Sequence, residues 1–276
     1  MKVFVLGSTG MLGRYVSTYL KSQGHDVINV TRDQIDAKNV QEEELRAILF
    51  HMGLKSGDVV INCVGMIKQK KDINELEFLL VNSVFPRILS NVCANEEAYM
   101  IHPSTDCVYS GNRGSYTEAD IHDATDVYGR TKSFGEPKNC TIIRTSIIGE
   151  ELKGKLSFIE WVKSNKDKTV NGFHNWIWNG ITCLEWAKIC DELIKTKKFW
   201  LGAKNVYTEP PIPKDELVRM VSEIFNLNVT VNSIDAPEKC DRSLTSVIED
   251  LKIDIPDYKT QLIDLYDYQG MLRENL

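Results

Sequence analysis

The feature that most constrains the fold of this 276-residue chain is a glycine-rich turn near its start. Residues 7–13 read GSTGMLG, which is the pattern G-x-x-G-x-x-G. They follow the apolar run Val3–Leu6 and lead into Met11–Lys21, where apolar residues recur at helical spacing. In such a strand–turn–helix unit, glycine permits the tight turn and the first helical amides can receive a phosphate. The alternative is a turn that binds nothing, but the strand–turn–helix context favours a dinucleotide.

Strands and helices are predicted to alternate through the first 150 residues. After the first strand, the sequence predicts strands at 27–30, 58–64, 99–102 and 141–145, and helices at 41–52, 76–94 and 126–135. Pro86 is expected to kink or break the helix at 76–94. This alternation predicts an α/β fold with a doubly wound parallel sheet of the Rossmann type.

The pattern is looser after about residue 150. Helices are predicted at 156–163, 184–195 and 214–225, with short strands near 206 and at 229–231, and prolines stand at 210, 211, 213, 237 and 256. We therefore expect residues 1–150 to form a dinucleotide-binding domain. Residues 151–276 should form mainly a smaller substrate-binding domain, interleaved with the last elements of the sheet.

Charge and cysteine content exclude several classes of protein. The net charge of −6 argues against a nucleic-acid partner, and the short cluster Lys68, Lys70 and Lys71 is expected to be a solvated loop. Seven cysteines without a CxxC pair or a Cys/His cluster predict neither a disulfide framework nor a metal site, and they fit a reducing compartment. No apolar run reaches membrane-spanning length, so we expect a cytoplasmic protein without a membrane partner.

The end of the second predicted strand should select the cofactor. An acidic side chain there would bind the ribose hydroxyls of NAD, whereas an arginine can accept the extra phosphate of NADP. The strand runs into Thr31, Arg32 and Asp33, whose side chains point in alternating directions. Arg32 favours NADPH, and the neighbouring Asp33 keeps NAD open as the alternative.

Tyr128 and Lys132 form the pattern Y-x-x-x-K on a predicted helix, so both side chains share one face. A nearby ammonium lowers the pKa of a phenol and suits it to proton exchange at neutral pH. The pattern alone is common, but here it follows a strand that ends in Ser104, Thr105 and Asp106. Thr105, or with less support Ser104, can polarise a substrate carbonyl. The alternative for these three residues is a helix cap or a turn.

Together these motifs resemble the extended short-chain dehydrogenase/reductase family. Within it, the chain is most similar to dTDP-4-dehydrorhamnose reductases and to reductases of UDP-linked N-acetylated 6-deoxy-4-keto sugars. The resemblance is dense up to residue 150 and thin afterwards. It is carried by GSTGMLG (7–13), INCVG (61–65), LVNS with Asn82, PSTDCVYSG (103–111), VYGRTKSFGE (127–136), IIRTSIIG (142–149) and, more weakly, CDRSL (240–244).

The resemblance implies a role for each matching residue. Thr105 would hold the keto oxygen, Tyr128 would protonate it, Lys132 would assist and hold the nicotinamide ribose, and Asp106 would lie beside the sugar. The implied cofactor contacts are Gly7, Ser8, Thr9, Gly10, Met11 and Leu12 at the pyrophosphate, Cys63, Val64 and Gly65 at the adenosine half, and also Arg32, Asn82 and Lys132. The implied substrate contacts are Ser104, Val108, Trp178 and Arg242, with Arg242 near the diphosphate and a core position as the alternative for Trp178.

The implied activity is NADPH-dependent reduction of the C4 keto group of a dTDP- or UDP-linked 4-keto-6-deoxy sugar, as in deoxysugar and polysaccharide biosynthesis. Related dehydratases carry Thr-Asp-Glu where this chain has Cys107, and a thiol is a poor substitute for that glutamate. The alternatives are an epimerase with tightly bound NAD and a non-catalytic, dinucleotide-binding regulatory subunit. The oligomeric state stays open, a homodimer included.

Overall fold

The computed structural model describes residues 1–67, 74–151, 156–248 and 253–274, so Lys68, Lys70 and Lys71 lie outside the described residues. The strands are β1 Lys2–Leu6, β2 Asp26–Val30, β3 Val59–Asn62, β4 Tyr99–Ser104, β5 Thr141–Arg144, β6 Ile147–Ile148, β7 Thr169–Phe173, β8 Trp176–Trp178, β9 Ile181–Thr182, β10 Gly202–Asn205, β11 Ile212–Pro213, β12 Thr230–Ile234 and β13 Cys240–Asp241. The α-helices are α1 Met11–Ser22, α2 Glu42–His51, α3 Glu75–Leu79, α4 Phe85–Asn95, α5 Val127–Phe134, α6 Phe158–Ser164, α7 Cys183–Thr196, α8 Lys214–Ile224, α9 Tyr258–Asp267 and α10 Gln269–Glu274.

Six of these strands form the central sheet in the order β2-β1-β3-β4-β5-β10, and every pair in it is parallel. Alternate residues of β1 face opposite cores. Phe4 and Leu6 belong to the core that α2 and α4 cover, whereas Val3 and Val5 belong to the core that α1 and α7 cover. The predicted doubly wound α/β fold is therefore confirmed. Strand β2 lies on one side of β1, and β3, the next strand along the chain, lies on its other side. The ligand-binding switch point therefore lies at the carboxyl ends of β1 and β3.

The predicted distortion near Pro86 takes a specific form. The helix is not broken, because a π-helical turn, Leu80–Val84, joins α3 to α4 and Pro86 lies in the first turn of α4. Proline has no N–H to donate to the carbonyl of Asn82, four residues earlier. That carbonyl lies against Gly135, where an added Cβ would be 1.7 Å away, and the Ser83 hydroxyl donates to the Thr131 carbonyl at 2.6 Å. The irregular turn thus lets α5 pack closely on this helix.

The same composite helix, Glu75–Asn95, qualifies by length and composition to cross a membrane, although Glu77 and Arg87 interrupt its apolar residues. It has 21 residues, and the most apolar 18 of them in succession have a mean hydropathy of 1.2. The protein itself buries 56% of its most apolar window, including Phe85 and Leu89, which are fully buried. This burial is the pattern of a core helix.

The second half of the chain contributes both to the central sheet and to a separate core. Helix α7 packs on α1, and β10 extends the sheet beside β5. The remaining strands form a three-stranded sheet in the order β11-β8-β13 and the two-stranded sheets β12-β7 and β6-β9. Residues of α6, α8 and α9, including Ile159, Leu217 and Leu262, pack in the second core. The helices predicted at 156–163, 184–195 and 214–225 are confirmed as α6, α7 and α8.

Candidate active site

The glycine-rich turn is closed so tightly that side chains are excluded from it. The amide of Gly10 donates to the carbonyl of Gly7 at 2.9 Å. An added Cβ at Gly13 would lie 2.2 Å from the Gly7 oxygen, and one at Gly7, where φ is +73°, would lie 3.0 Å from the backbone of Cys63. The first amides of α1, which have no partners within the helix, remain directed at the turn. This cradle fits a pyrophosphate, since only backbone groups without Cβ atoms allow so close an approach.

A cleft of about 340 Å³ runs from this turn across the carboxyl ends of β1, β2 and β3. Arg32 lines it, with its Nε 3.7 Å from the Asp36 carboxylate, whereas Asp33 does not line it. Lys38 lines the cleft as well and pairs with Glu77 at 2.6 Å. Sequence reasoning missed Lys38. The signal that could have identified it is a second basic residue in the loop after β2.

The other predicted cofactor residues divide into lining and supporting positions. Gly7, Thr9, Gly10, Cys63, Val64 and Gly65 line the cleft. Asn82 is buried beneath it and bonds both backbone groups of Met66, so it supports the floor of the cleft. The Ser8 hydroxyl points to the Val30 carbonyl at 3.4 Å, and Met11 and Leu12 are partly buried against core clusters.

Thr105 and Tyr128 come together at the carboxyl end of β4. The Thr105 side chain lies close enough to the Tyr128 phenol to partly offset the rise that burial causes in the pKa of Tyr128. The Thr105 hydroxyl also donates to the Asp106 carboxylate at 3.0 Å and accepts from the Cys107 amide at 3.1 Å. Gly129 makes this meeting possible, because an added Cβ there would lie 2.2 Å from the Cys107 carbonyl oxygen.

Lys132 lies one helical turn beyond Tyr128 and is only 6% exposed. Its ammonium donates to the Pro103 carbonyl at 2.8 Å. Burial lowers the pKa of Lys132 to about 8, although Glu136 opposes this shift. The lysine is therefore mostly protonated at neutral pH but titrates only slightly above it, so an added ligand can readily shift its protonation.

Ser104, in contrast, is engaged inside the fold. Its hydroxyl donates to Glu136, and Glu136 in turn forms a two-pronged ion pair with Arg144, at 2.7 and 3.0 Å. Two other predicted substrate residues also direct their side chains inward. Val108 is fully buried, and Trp178 is 5% exposed and packs 5.7 Å from the ring of Tyr258, which fits the core alternative for Trp178.

Arg242 is the predicted substrate residue that the fold brings to the carboxyl end of β4, near Asp106. The amide of Asp241 donates to the Gly111 carbonyl at 2.8 Å, and Arg242 Nε donates to the Tyr109 carbonyl at 2.8 Å. Asp106 and Cys107 are near enough to raise the pKa of Arg242, which burial lowers. Lys214 lies near the same two residues and was missed, because a lysine at the start of a helix carries no distinctive sequence signal.

The fold and the site together define a dinucleotide-binding α/β protein of the Rossmann type. Residues 1–170 match the RmlD substrate binding domain family, and the chain belongs to that family.

Individual relatives match shorter stretches. A dTDP-4-dehydrorhamnose reductase of Mycolicibacterium smegmatis is 34% identical over 139 residues, covering 49% of this chain and 40% of that protein. A dTDP-4-keto-6-deoxy-D-glucose reductase of Streptomyces niveus is 30% identical over 151 residues, 51% of each chain. The chain thus spans about half the length of the curated relatives it matches. The fold is also similar to that of the solved dTDP-4-dehydrorhamnose reductase of Bacillus anthracis in complex with NADP. The superposition covers 97% of this chain and 99% of that one, with a TM-score of 0.80 at 16% identity.

Proposed function

We propose that this protein is a sugar-nucleotide 4-keto reductase, which reduces a dTDP- or UDP-linked 4-keto-6-deoxy sugar with NADPH to a 6-deoxy-L-sugar nucleotide. The observation that carries this proposal is the close packing of the Tyr128 helix against Thr105–Cys107, at the edge of the sheet that also carries the glycine turn. The substrate class follows the names of the relatives, which are reductases of dTDP-linked keto sugars. Residues 1–150 would bind the cofactor and residues 151–276 mainly the substrate, in the cytoplasm.

The cofactor site would use both backbone and side chains. Gly7, Thr9 and Gly10 would hold the pyrophosphate, and Arg32 with Lys38 would receive the additional phosphate of NADPH. The Bacillus anthracis structure holds NADP on a similar fold, which supports this choice, with NAD as the alternative. When bound, the cofactor supplies the hydride for C4 of the sugar.

The chain's own residues would supply the proton and stabilise the developing charge. Thr105 would turn its hydroxyl from Asp106 to the keto oxygen and polarise it. Because burial raises the pKa of Tyr128, its phenol keeps its proton until an alkoxide forms at C4, and the proton then passes to that oxygen. The Lys132 ammonium would stabilise the resulting phenolate, which regains a proton from solvent.

The test is NADPH and NADH oxidation with dTDP- and UDP-linked 4-keto-6-deoxy sugars. Tyr128→Phe should lower kcat by about 10²- to 10⁴-fold, the usual contribution of a positioned proton donor, with unchanged affinity for NADP⁺. Tyr99→Phe is the matched control, since Tyr99 begins β4 at the opposite end of the strand and stacks on Phe199. Normal turnover by Tyr128→Phe would rule out the assigned proton donor.

The composition of the purified protein distinguishes the reductase from the two alternatives, an epimerase and a non-catalytic regulatory subunit. An epimerase of this fold would be purified with stoichiometric NAD, and a regulatory subunit would copurify with an enzyme and turn over no keto sugar alone. A cofactor-free protein that oxidises NADPH with a keto sugar would exclude both.

A further inference from the structure

Two cations flank the three-stranded sheet β11-β8-β13 on either side of its central strand. Lys214 directly follows β11, which pairs antiparallel with β8, and Arg242 directly follows β13, which pairs parallel with β8. The ammonium of Lys214 lies 5.0 Å from the centre of the Trp176 ring of β8. Arg242 is fixed from the other side by its bond to the Tyr109 carbonyl. Residues 28 positions apart are thus brought together by strand pairing.

Within the described part of the chain, neither cation has an ion-pair partner, although both are half-buried. Burial lowers the pKa of Lys214, and the charge of Arg242 lowers it further, so the two cations are near enough to repel each other. Asp106 opposes this effect at both residues, but its carboxylate also accepts the Thr105 hydroxyl. Partly buried charges are normally paired, so this arrangement favours an anionic ligand.

We propose that Lys214 acts with Arg242 as a two-cation site for the diphosphate of a nucleoside diphosphate, and that Lys214 is a specificity-determining residue of the reaction. This inference rests on the proposed function. In a pyranose ring, C1 carries the diphosphate and C4 lies on the opposite side. Cations that bind the diphosphate should therefore stand about one ring away from Thr105, and both cations lie within electrostatic range of Asp106, the next residue.

A dianion bound between the two cations offsets their mutual repulsion. This gain in binding free energy requires both cations, because a single cation has no such repulsion to offset. Lys214 is therefore expected to discriminate between phosphorylated and unphosphorylated ligands, and to contribute little to binding of the nucleoside itself. The cofactor carries phosphates too, but its cleft lies at β1, β2 and β3 and does not include Lys214.

The experiment measures binding of UDP and dTDP by calorimetry in the presence of saturating NADP⁺. We expect Lys214→Met to weaken nucleoside diphosphate binding by about 10- to 100-fold, as for a lost hydrogen bond between charged groups, and Lys214→Arg to restore most of it. Affinities for NADP⁺ and for the unphosphorylated nucleosides should not change. Lys259→Met, at an exposed lysine of the neighbouring helix α9, is the matched control and should bind as the wild type does.

Wild-type affinity of folded Lys214→Met for UDP and dTDP would overturn the inference, and so would failure of the wild type to bind either. If Lys214→Met unfolds, Lys214→Gln replaces it, with the same expected loss. The proposed function fails separately: diphosphate binding that depends on Lys214, without reduction of any keto sugar, would refute the reductase alone. Reduction of a keto sugar with an unchanged KM in Lys214→Met would refute the two-cation site alone.

Discussion

Helices α1 and α8 both begin beside a proposed ligand site, but they are prepared for anions in different ways. The first turn of α1 contains no acidic residue, and Gly10 precedes it, so its backbone amides are exposed to the glycine cradle. The first turn of α8 contains Asp215 and Glu216, whose negative charge opposes anion binding by the amides there. At α8 the positive charge comes instead from the side chain of Lys214.

The difference teaches where ligand recognition resides in each half. At the cofactor cleft the proposed pyrophosphate contacts come from the backbone, so they need glycine at defined positions such as Gly7 and Gly13. Beside α8 recognition resides in side chains that meet only after distant strands have paired. Binding by the backbone should be disrupted by any added Cβ at the glycine positions. Binding by side chains should instead weaken stepwise, with each charged residue that is removed.

The two halves also differ in their ion pairs, and the largest expected effect tests that difference. Arg144 is 3% exposed and its partner Glu136 10%, whereas Arg219 of the pair with Asp215 is 44% exposed. Glu136→Gln should lower the free energy of unfolding by about 3–5 kcal/mol, because it leaves the buried Arg144 charge unpaired. Arg219→Met should lower it by no more than about 1 kcal/mol, because the Asp215 carboxylate, although only 3% exposed, still accepts a hydrogen bond from the Ser233 hydroxyl. Denaturant unfolding of the two variants checks both values.

The pH dependence of Glu136→Gln provides a second check. Pairing with Arg144 holds the pKa of Glu136 below its ordinary value of 4.5 despite burial, so its stabilising effect is present above that value. The effect is lost as the pH falls through the lowered pKa. The stability gap between the wild type and Glu136→Gln should therefore narrow in acid, and a gap that stays constant down to acid unfolding would refute the ion-pair explanation.

Gly13→Ala tests backbone recognition at the cofactor cleft. The new Cβ would stand 2.2 Å from the Gly7 oxygen, so the turn must open. We expect affinity for NADP⁺ to fall by about 100-fold, equivalent to roughly 2.7 kcal/mol, with a comparable loss of stability from overpacking. Gly270→Ala in α10 is the control, since no atom of the described residues lies within 4 Å of its added Cβ and alanine favours a helix. Unchanged NADP⁺ binding by Gly13→Ala would contradict the proposal that the backbone of the glycine turn holds the cofactor.

The smallest expected effect concerns Lys132, a side chain of the proposed cofactor site. Its pKa of about 8 means that it is charged below that pH and loses its proton as the pH rises. If the ammonium binds the ribose, affinity for NADP⁺ should be full below pH 8 and fall by up to about tenfold per pH unit above it. Lys132→Met should bind more weakly at pH 7 and show no such decline, and a flat wild-type profile would exclude this role.

Local patterns predicted much of the first half. The glycine turn and the Y-x-x-x-K helix place their groups within a few residues, and strands buried on both faces, such as β3, appear as continuous apolar runs. In the second half, β8, β11 and β13 have only two or three residues, too few to show a period, and they escaped prediction.

The sequence by itself determined the doubly wound fold and the positions of the cradle and of Tyr128, because those depend on glycine geometry and on one turn of helix. Only the tertiary structure decided the partners of side chains. It turned Ser104 to Glu136 and placed Lys214 near Arg242. The physical reason is that these contacts are set by the pairing and packing of segments far apart in the chain, which no local pattern specifies.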